Sequence, residues 1–267
     1  MTKILFIMFQ GAGTNLKSWN ESTKSKFLDR LKELGNVYTY QDKVYNIWHY
    51  EKSNPEHIDY DSDINFDLNY IKPKKHIKMV YDDICVKYKN IEEYKFIPIG
   101  WSMGGGPALY FCQKYKQQCI HCILLDPIYI TPDNMLLQLN IDDTNITNIT
   151  NIKLQKMLYN LKKTEENLKI VENTIDFIRF SFYSKNLNLK LPVKTTSFIN
   201  IYNPTKYKWQ KDNNKNRLNE IKILEKLNPD NYTAIIFKNK THMVYDYIQP
   251  AKQIIKYIGN LIKQFNK

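Results

Sequence analysis

Gly100-Trp101-Ser102-Met103-Gly104 constrains this chain more than any other stretch. It follows the apolar run Tyr94–Ile99, which reads as a buried strand, and it precedes a helical pattern. A serine between two glycines at a strand-to-helix junction reads as a side chain projected from a sharp bend. The glycines fit that geometry, because a Cβ at Gly100 or Gly104 would crowd the turn. The helix that follows offers unpaired N–H groups to a developing anion. With eight glycines and nine serines in 267 residues, chance alone gives the motif somewhere in roughly one chain in a hundred. The requirement for a strand before it and a helix after it lowers that further.

The surrounding pattern predicts an α/β fold with a doubly wound, mostly parallel sheet of about six strands. The expected strands are Ile4–Phe9, Val37–Tyr40, Tyr94–Ile99, Ile120–Leu125, Thr196–Tyr202 and Tyr232–Phe237. Helices are expected near Ser18–Leu34, ending at Gly35, near Lys74–Lys89, and from Pro250 to the C-terminal region, where Ala251, Ile254, Ile255, Ile258, Leu261 and Ile262 share a face. Two stretches break the rhythm. Residues 42–72 form a long acidic and aromatic connection. Residues 128–194 begin with a low-complexity Asp/Asn/Ile/Thr tract and continue in a helical pattern, too long for a simple loop. The expected organisation is therefore a core of residues 1–127 and 195–267, with 128–194 inserted as a helical cap.

Six of the eight glycines (Gly11, Gly13, Gly100, Gly104, Gly105 and Gly106) lie just after the first or third expected strand. In a doubly wound sheet those strands are neighbours at the switch point, where a crevice opens. Gly11-Ala12-Gly13 is not a dinucleotide fingerprint, since Leu16 stands where a third glycine belongs, and no Gly-Lys-Ser/Thr phosphate loop exists. Asp61-Ser62-Asp63 opens like a calcium loop, but Phe66 and Lys72 occupy the positions that require glycine and glutamate.

On these residues the chain resembles the α/β-hydrolase family over nearly its whole length. Gly100–Gly105 is similar to that family's nucleophile elbow, and Gln10-Gly11-Ala12-Gly13 is similar to its His-Gly-x-Gly oxyanion loop, with Gln in place of His. The resemblance implies Ser102 as nucleophile and an oxyanion hole formed by the backbone N–H groups of Ala12 and Met103. It also implies a sheet lacking the family's two N-terminal strands. Gly11 and Trp101 are the expected substrate-binding neighbours. His242, five residues past the sixth strand, stands where the family places its base; His121 and His76 belong to the opposite edge. The acid is open between two aspartates. The stretch Asn203–Lys208 after the fifth strand, the family's usual place, has no carboxylate. Asp126, in Leu124-Leu125-Asp126-Pro127, is preferred, as in some lipases of this fold, with Asp212 as the alternative. A third option is that Asn203 or a water orients the imidazole.

The expected activity is hydrolysis of a carboxylic ester, lipid ester or thioester, with no metal or cofactor. An inactive binding protein of the same fold and an acyltransferase are the alternatives. The net charge of +12 is uneven, because residues 42–72 hold seven carboxylates against three lysines. A basic body of this kind attracts anionic membranes peripherally, whereas no specific nucleic-acid site is expected. The four cysteines (Cys85, Cys112, Cys119 and Cys122) form neither a disulfide framework nor a paired zinc motif, so reduced thiols are expected. No run of ~20 apolar residues or signal-peptide core is present, and a soluble cytoplasmic protein is the expectation.

Overall fold

In a computed structural model, the structure describes residues 2–9, 11, 19, 24–39, 73–127, 190–203, 208–238, 240 and 242–266. The whole connection 42–72 and all of the expected cap except 190–194 lie outside these residues.

The described strands are β1 (Lys3–Phe9), β2 (Asn36–Thr39), β3 (Tyr94–Trp101), β4 (Cys122–Leu125), β5 (Thr195–Ile201) and β6 (Tyr232–Lys238). They form one parallel sheet in the order β2-β1-β3-β4-β5-β6. The described helices are α1 (Phe27–Lys32), α2 (Pro73–Lys87), α3 (Gly105–Lys114), α4 (Lys208–Leu227) and α5 (Ile248–Phe265). A sheet covered on both faces explains why the central strands read as unbroken apolar runs. In β1, Leu5, Ile7 and Phe9 join one core with Ile77, Val80 and Ile84 of α2, Phe111 and Cys112 of α3, and Ile221 and Leu224 of α4. The alternate residues Ile4, Phe6 and Met8 join a second core with Leu28 and Leu31 of α1 and Ile254 and Ile258 of α5.

Several boundaries differ from the expectation. The first helix is described only over Phe27–Lys32, preceded by Lys26 in the left-handed region (φ 52°), which ends any continuous helix there. The last helix begins at Ile248 rather than Pro250. The proline still lies in the first turn, where its missing N–H leaves no helical bond unmade. β4 is shorter than expected because Cys119 bridges Phe96 while Ile123 pairs with Ile99, which leaves one extra residue on the β4 side.

His121 falls in that irregular step. It is buried, with Nε2 2.9 Å from Thr196 Oγ1, which in turn lies 2.7 Å from the Tyr257 hydroxyl. Burial, with the nearby Lys194 charge, pushes its pKa down to about 4. The folded protein therefore binds this proton less readily than the unfolded chain, and stability falls as pH drops below about 6.5. The expected loss between pH 7 and pH 4 is up to about 3 kcal/mol from this group alone. Urea unfolding across that range should show a flatter dependence for a His121→Gln variant.

Candidate active site

A parallel sheet brings the carboxyl ends of all its strands to one edge, and the singled-out residues meet there. Ser102 follows β3 at the head of a short 3₁₀ turn, Ser102–Gly104, that runs into α3. Its φ of 54° is a left-handed conformation that a serine adopts only under constraint. The turn is tight enough that a Cβ on Gly100 would lie 2.4 Å from the Gly104 carbonyl oxygen. Gly11, after β1, closes the other side, where a Cβ would lie 2.8 Å from Ser102 Cβ.

His242 follows β6, with Nε2 2.7 Å from Ser102 Oγ and Nδ1 2.6 Å from Asp126 Oδ2. Its side chain is about one-third exposed, while Ser102 is buried. Trp101 braces this loop: its indole N–H donates to the His242 carbonyl at 3.0 Å, and its ring meets Tyr245 edge-on. Trp101 is 4% exposed.

Asp126 ends β4, fully buried, with φ 43°. Four donors among the described residues surround its carboxylate. The Asn200 N–H (2.8 Å) and Arg217 Nη1 donate to Oδ1, and the Tyr202 hydroxyl (2.9 Å) and His242 Nδ1 meet Oδ2. Burial alone would raise the Asp126 pKa. The Arg217 charge, the hydrogen bond and charge of His242, and the Asn200 amide outweigh it, leaving the carboxyl below its usual range. An ionised carboxylate only accepts, so His242 carries its proton on Nδ1 and presents a lone pair on Nε2 to the Ser102 hydroxyl. Burial and the Asp126 charge push the Tyr202 phenol upward, so it stays protonated as a donor.

The supporting residues are tied in turn. Asn200, at the end of β5, donates Nδ2–H to the Lys240 carbonyl (2.8 Å) and accepts the Lys240 N–H (2.9 Å), fastening the histidine loop to the sheet. Asn214 of α4 clasps the Tyr202 backbone through both amide atoms.

Asp212 lies on α4, a helix not among those expected, and its side chain is outside the described residues, as are Ala12 and Thr241. Met103 occupies the turn after Ser102, in the region where first-turn N–H groups lack helical acceptors. Asn203 is exposed, and the two ring nitrogens of His242 meet Asp126 and Ser102. Arg217, Tyr202 and Asn200 were not anticipated. One signal for Arg217 was present: only three arginines (Arg30, Arg179, Arg217) stand among 36 lysines, and pairing with a buried carboxylate suits a guanidinium better than an ammonium.

Among the described residues no cluster of His, Cys, Asp or Glu could hold a metal ion, and no helix is long and apolar enough to cross a membrane. Cys112, Cys119 and Cys122 are buried free thiols, and Cys85 is exposed.

No family model and no curated protein matches the sequence. Solved structures do match. The peroxisomal α/β-hydrolase Lpx1 of Saccharomyces cerevisiae is similar over 99% of this chain and 78% of its own, with a TM-score of 0.55 at 15% identity. An α/β-hydrolase from the sediment metagenome of the Mar Chica lagoon, Morocco, covers 99% and 93%, with a TM-score of 0.53 at 13% identity. This chain has the α/β-hydrolase fold. The RedJ thioesterase of Streptomyces coelicolor shares the α/β-hydrolase fold of this chain over 96% of it and 89% of its own length, with a TM-score of 0.53 at 12% identity. At these identities the likeness speaks for the fold alone, and the chemistry rests on the site.

Proposed function

We propose that this chain is a serine hydrolase that cleaves a carboxylic ester, lipid ester or thioester through an acyl-enzyme. The observation that carries the reading is the run of short contacts from Ser102 Oγ through His242 to a buried, ionised Asp126. The names of the solved structures it resembles, hydrolases and a thioesterase, agree with it.

In this mechanism His242 Nε2 takes the Ser102 proton as Oγ bonds to the acyl carbon. The carbonyl oxygen gains the negative charge and turns toward the backbone N–H groups of Met103 and Ala12, each such donor typically supplying about 3 kcal/mol in the transition state. The imidazolium then gives its proton to the departing alcohol or thiol, leaving the acyl group on Oγ. Water, deprotonated by His242, attacks that ester, and the acid leaves as Ser102 recovers its proton. Asp126 stays ionised throughout and stabilises the imidazolium.

A fluorophosphonate probe tests the reading directly. The folded wild type is expected to take one equivalent, located on the Ser102 peptide by mass spectrometry, and Ser102→Ala none. Folded wild type that takes no probe would overturn the hydrolase and favour a binding role for the fold. Product analysis with a panel of esters and thioesters, with and without an added alcohol or amine, separates hydrolysis from transfer to an acceptor.

A further inference from the structure

A serine–histidine–aspartate relay requires an anion behind the imidazole, yet a cation also lies there. Arg217, on α4, is 7% exposed, and its Nη1 donates to Asp126 Oδ1, the oxygen that also takes the Asn200 amide. Its guanidinium carbon stands 5.5 Å from the centre of the Tyr202 ring, whose hydroxyl holds Oδ2. Withdrawing a guanidinium from water is costly unless it is paired, and this lysine-rich chain has placed one of its three arginines here.

The arrangement has two physical consequences. Donors on both oxygens fix the plane of the carboxylate, so Oδ2 faces His242 Nδ1 in one orientation. In addition, the positive charge partly balances the negative one that would otherwise favour the imidazolium. Among the described residues, the groups facing the His242 ring are Ser102 and Trp101 from the end of β3 and Asp126 from the end of β4. Tyr202 after β5 and Arg217 on α4 act through that carboxylate, and Lys240 and Asp246 flank the histidine along its own loop.

We propose, resting on the hydrolase reading, that Arg217 is a positioning residue of this site: it locks the Asp126 carboxylate toward His242 and extends the reactivity of Ser102 to lower pH than an aspartate alone would allow. Orientation and charge are separable. Lysine keeps the charge but replaces the planar guanidinium with a point donor. Glutamine keeps an N–H for Oδ1 and loses the charge.

The test is the rate of fluorophosphonate labelling of the full chain from pH 4.5 to 9, which needs no knowledge of the substrate. In Arg217→Gln the acid limb is expected to move up by about one pH unit, so labelling at low pH falls about tenfold against the variant's own plateau. In Arg217→Lys the limb stays with the wild type while the plateau drops. Tyr202→Phe removes a donor from Oδ2 without changing charge, so it too should lower the plateau and leave the limb in place. A merely structural arginine would lower plateaus and move no limb. The proposal is overturned if the Gln limb superimposes on the wild type, or if the Lys or Phe limb moves as far as the Gln limb should. Wild type that takes no probe removes the hydrolase reading itself; wild type that labels normally beside an unmoved Gln limb removes only the role of Arg217.

Discussion

An Asp126→Asn variant is expected to lose about 10⁴ in kcat, the magnitude known for the equivalent change in a serine protease. The four contacts on the carboxylate give the reason. An asparagine amide has one oxygen and one NH₂ to place. With the NH₂ in the Oδ1 position it would face two groups that only donate, the Asn200 N–H and Arg217 Nη1. The NH₂ must therefore take the Oδ2 position, where Tyr202 can turn its hydroxyl to accept and His242 Nδ1 can accept only by giving up its proton. The imidazole then carries its proton on Nε2, 2.7 Å from Ser102 Oγ, and cannot act as a base. The same change unbalances the buried Arg217 charge, which should also lower the unfolding free energy by about 3 kcal/mol. Turnover and labelling are accordingly compared on protein whose circular dichroism matches the wild type. Asp212→Asn should leave both near the wild-type value; a larger loss there than at Asp126 would move the acid to α4.

Gly100→Ala should be severely damaging, because its added methyl group meets backbone more closely than at Gly11, Gly35, Gly105 or Gly259. The added Cβ would lie 2.4 Å from the Gly104 carbonyl oxygen and 2.7 Å from both the Gly104 carbonyl carbon and Gly105 Cα. These are backbone atoms, and no rotamer change relieves them. The turn must open, which carries Ser102 away from its left-handed conformation and its hydroxyl away from His242. Overpacking typically costs 1–3 kcal/mol, and here about 3 kcal/mol or more is expected in urea unfolding, together with loss of fluorophosphonate uptake. Labelling at the wild-type rate would mean that the bend tolerates a side chain and does not depend on this glycine.

The parts of the molecule legible in its sequence are those where one physical demand dominates. β1 and β3 read as strands because both faces are buried and the apolar run is unbroken. The bend at Ser102 read clearly because backbone crowding leaves glycine as the only choice at position 100. The interruption before α1 is illegible because a left-handed Lys26 leaves no mark in the apolar periodicity. β4 is two residues shorter than its pattern predicts because Ile120 and His121 look like strand residues, whereas the step in pairing register depends on the partner strand. The residues around Asp126 were illegible for a different reason. Asn200, Tyr202 and Arg217 are polar residues from two elements, and only the packing of α4 against the end of β5 makes them neighbours. Asp126 itself was one of two candidate carboxylates, since sequence order does not say which strand end lies nearest the histidine loop.

The two groups that share the Ser102 proton stand 140 residues apart in the chain and come from the ends of different strands. A growing polypeptide therefore carries the serine long before it carries the imidazole. On the proposed mechanism, the hydroxyl is an ordinary alcohol during synthesis and acquires its chemistry only when β6 docks beside β5 and brings its trailing loop over the bend. Probe uptake on a translating ribosome would thus serve as a clock for the completed native state, silent toward every shorter intermediate.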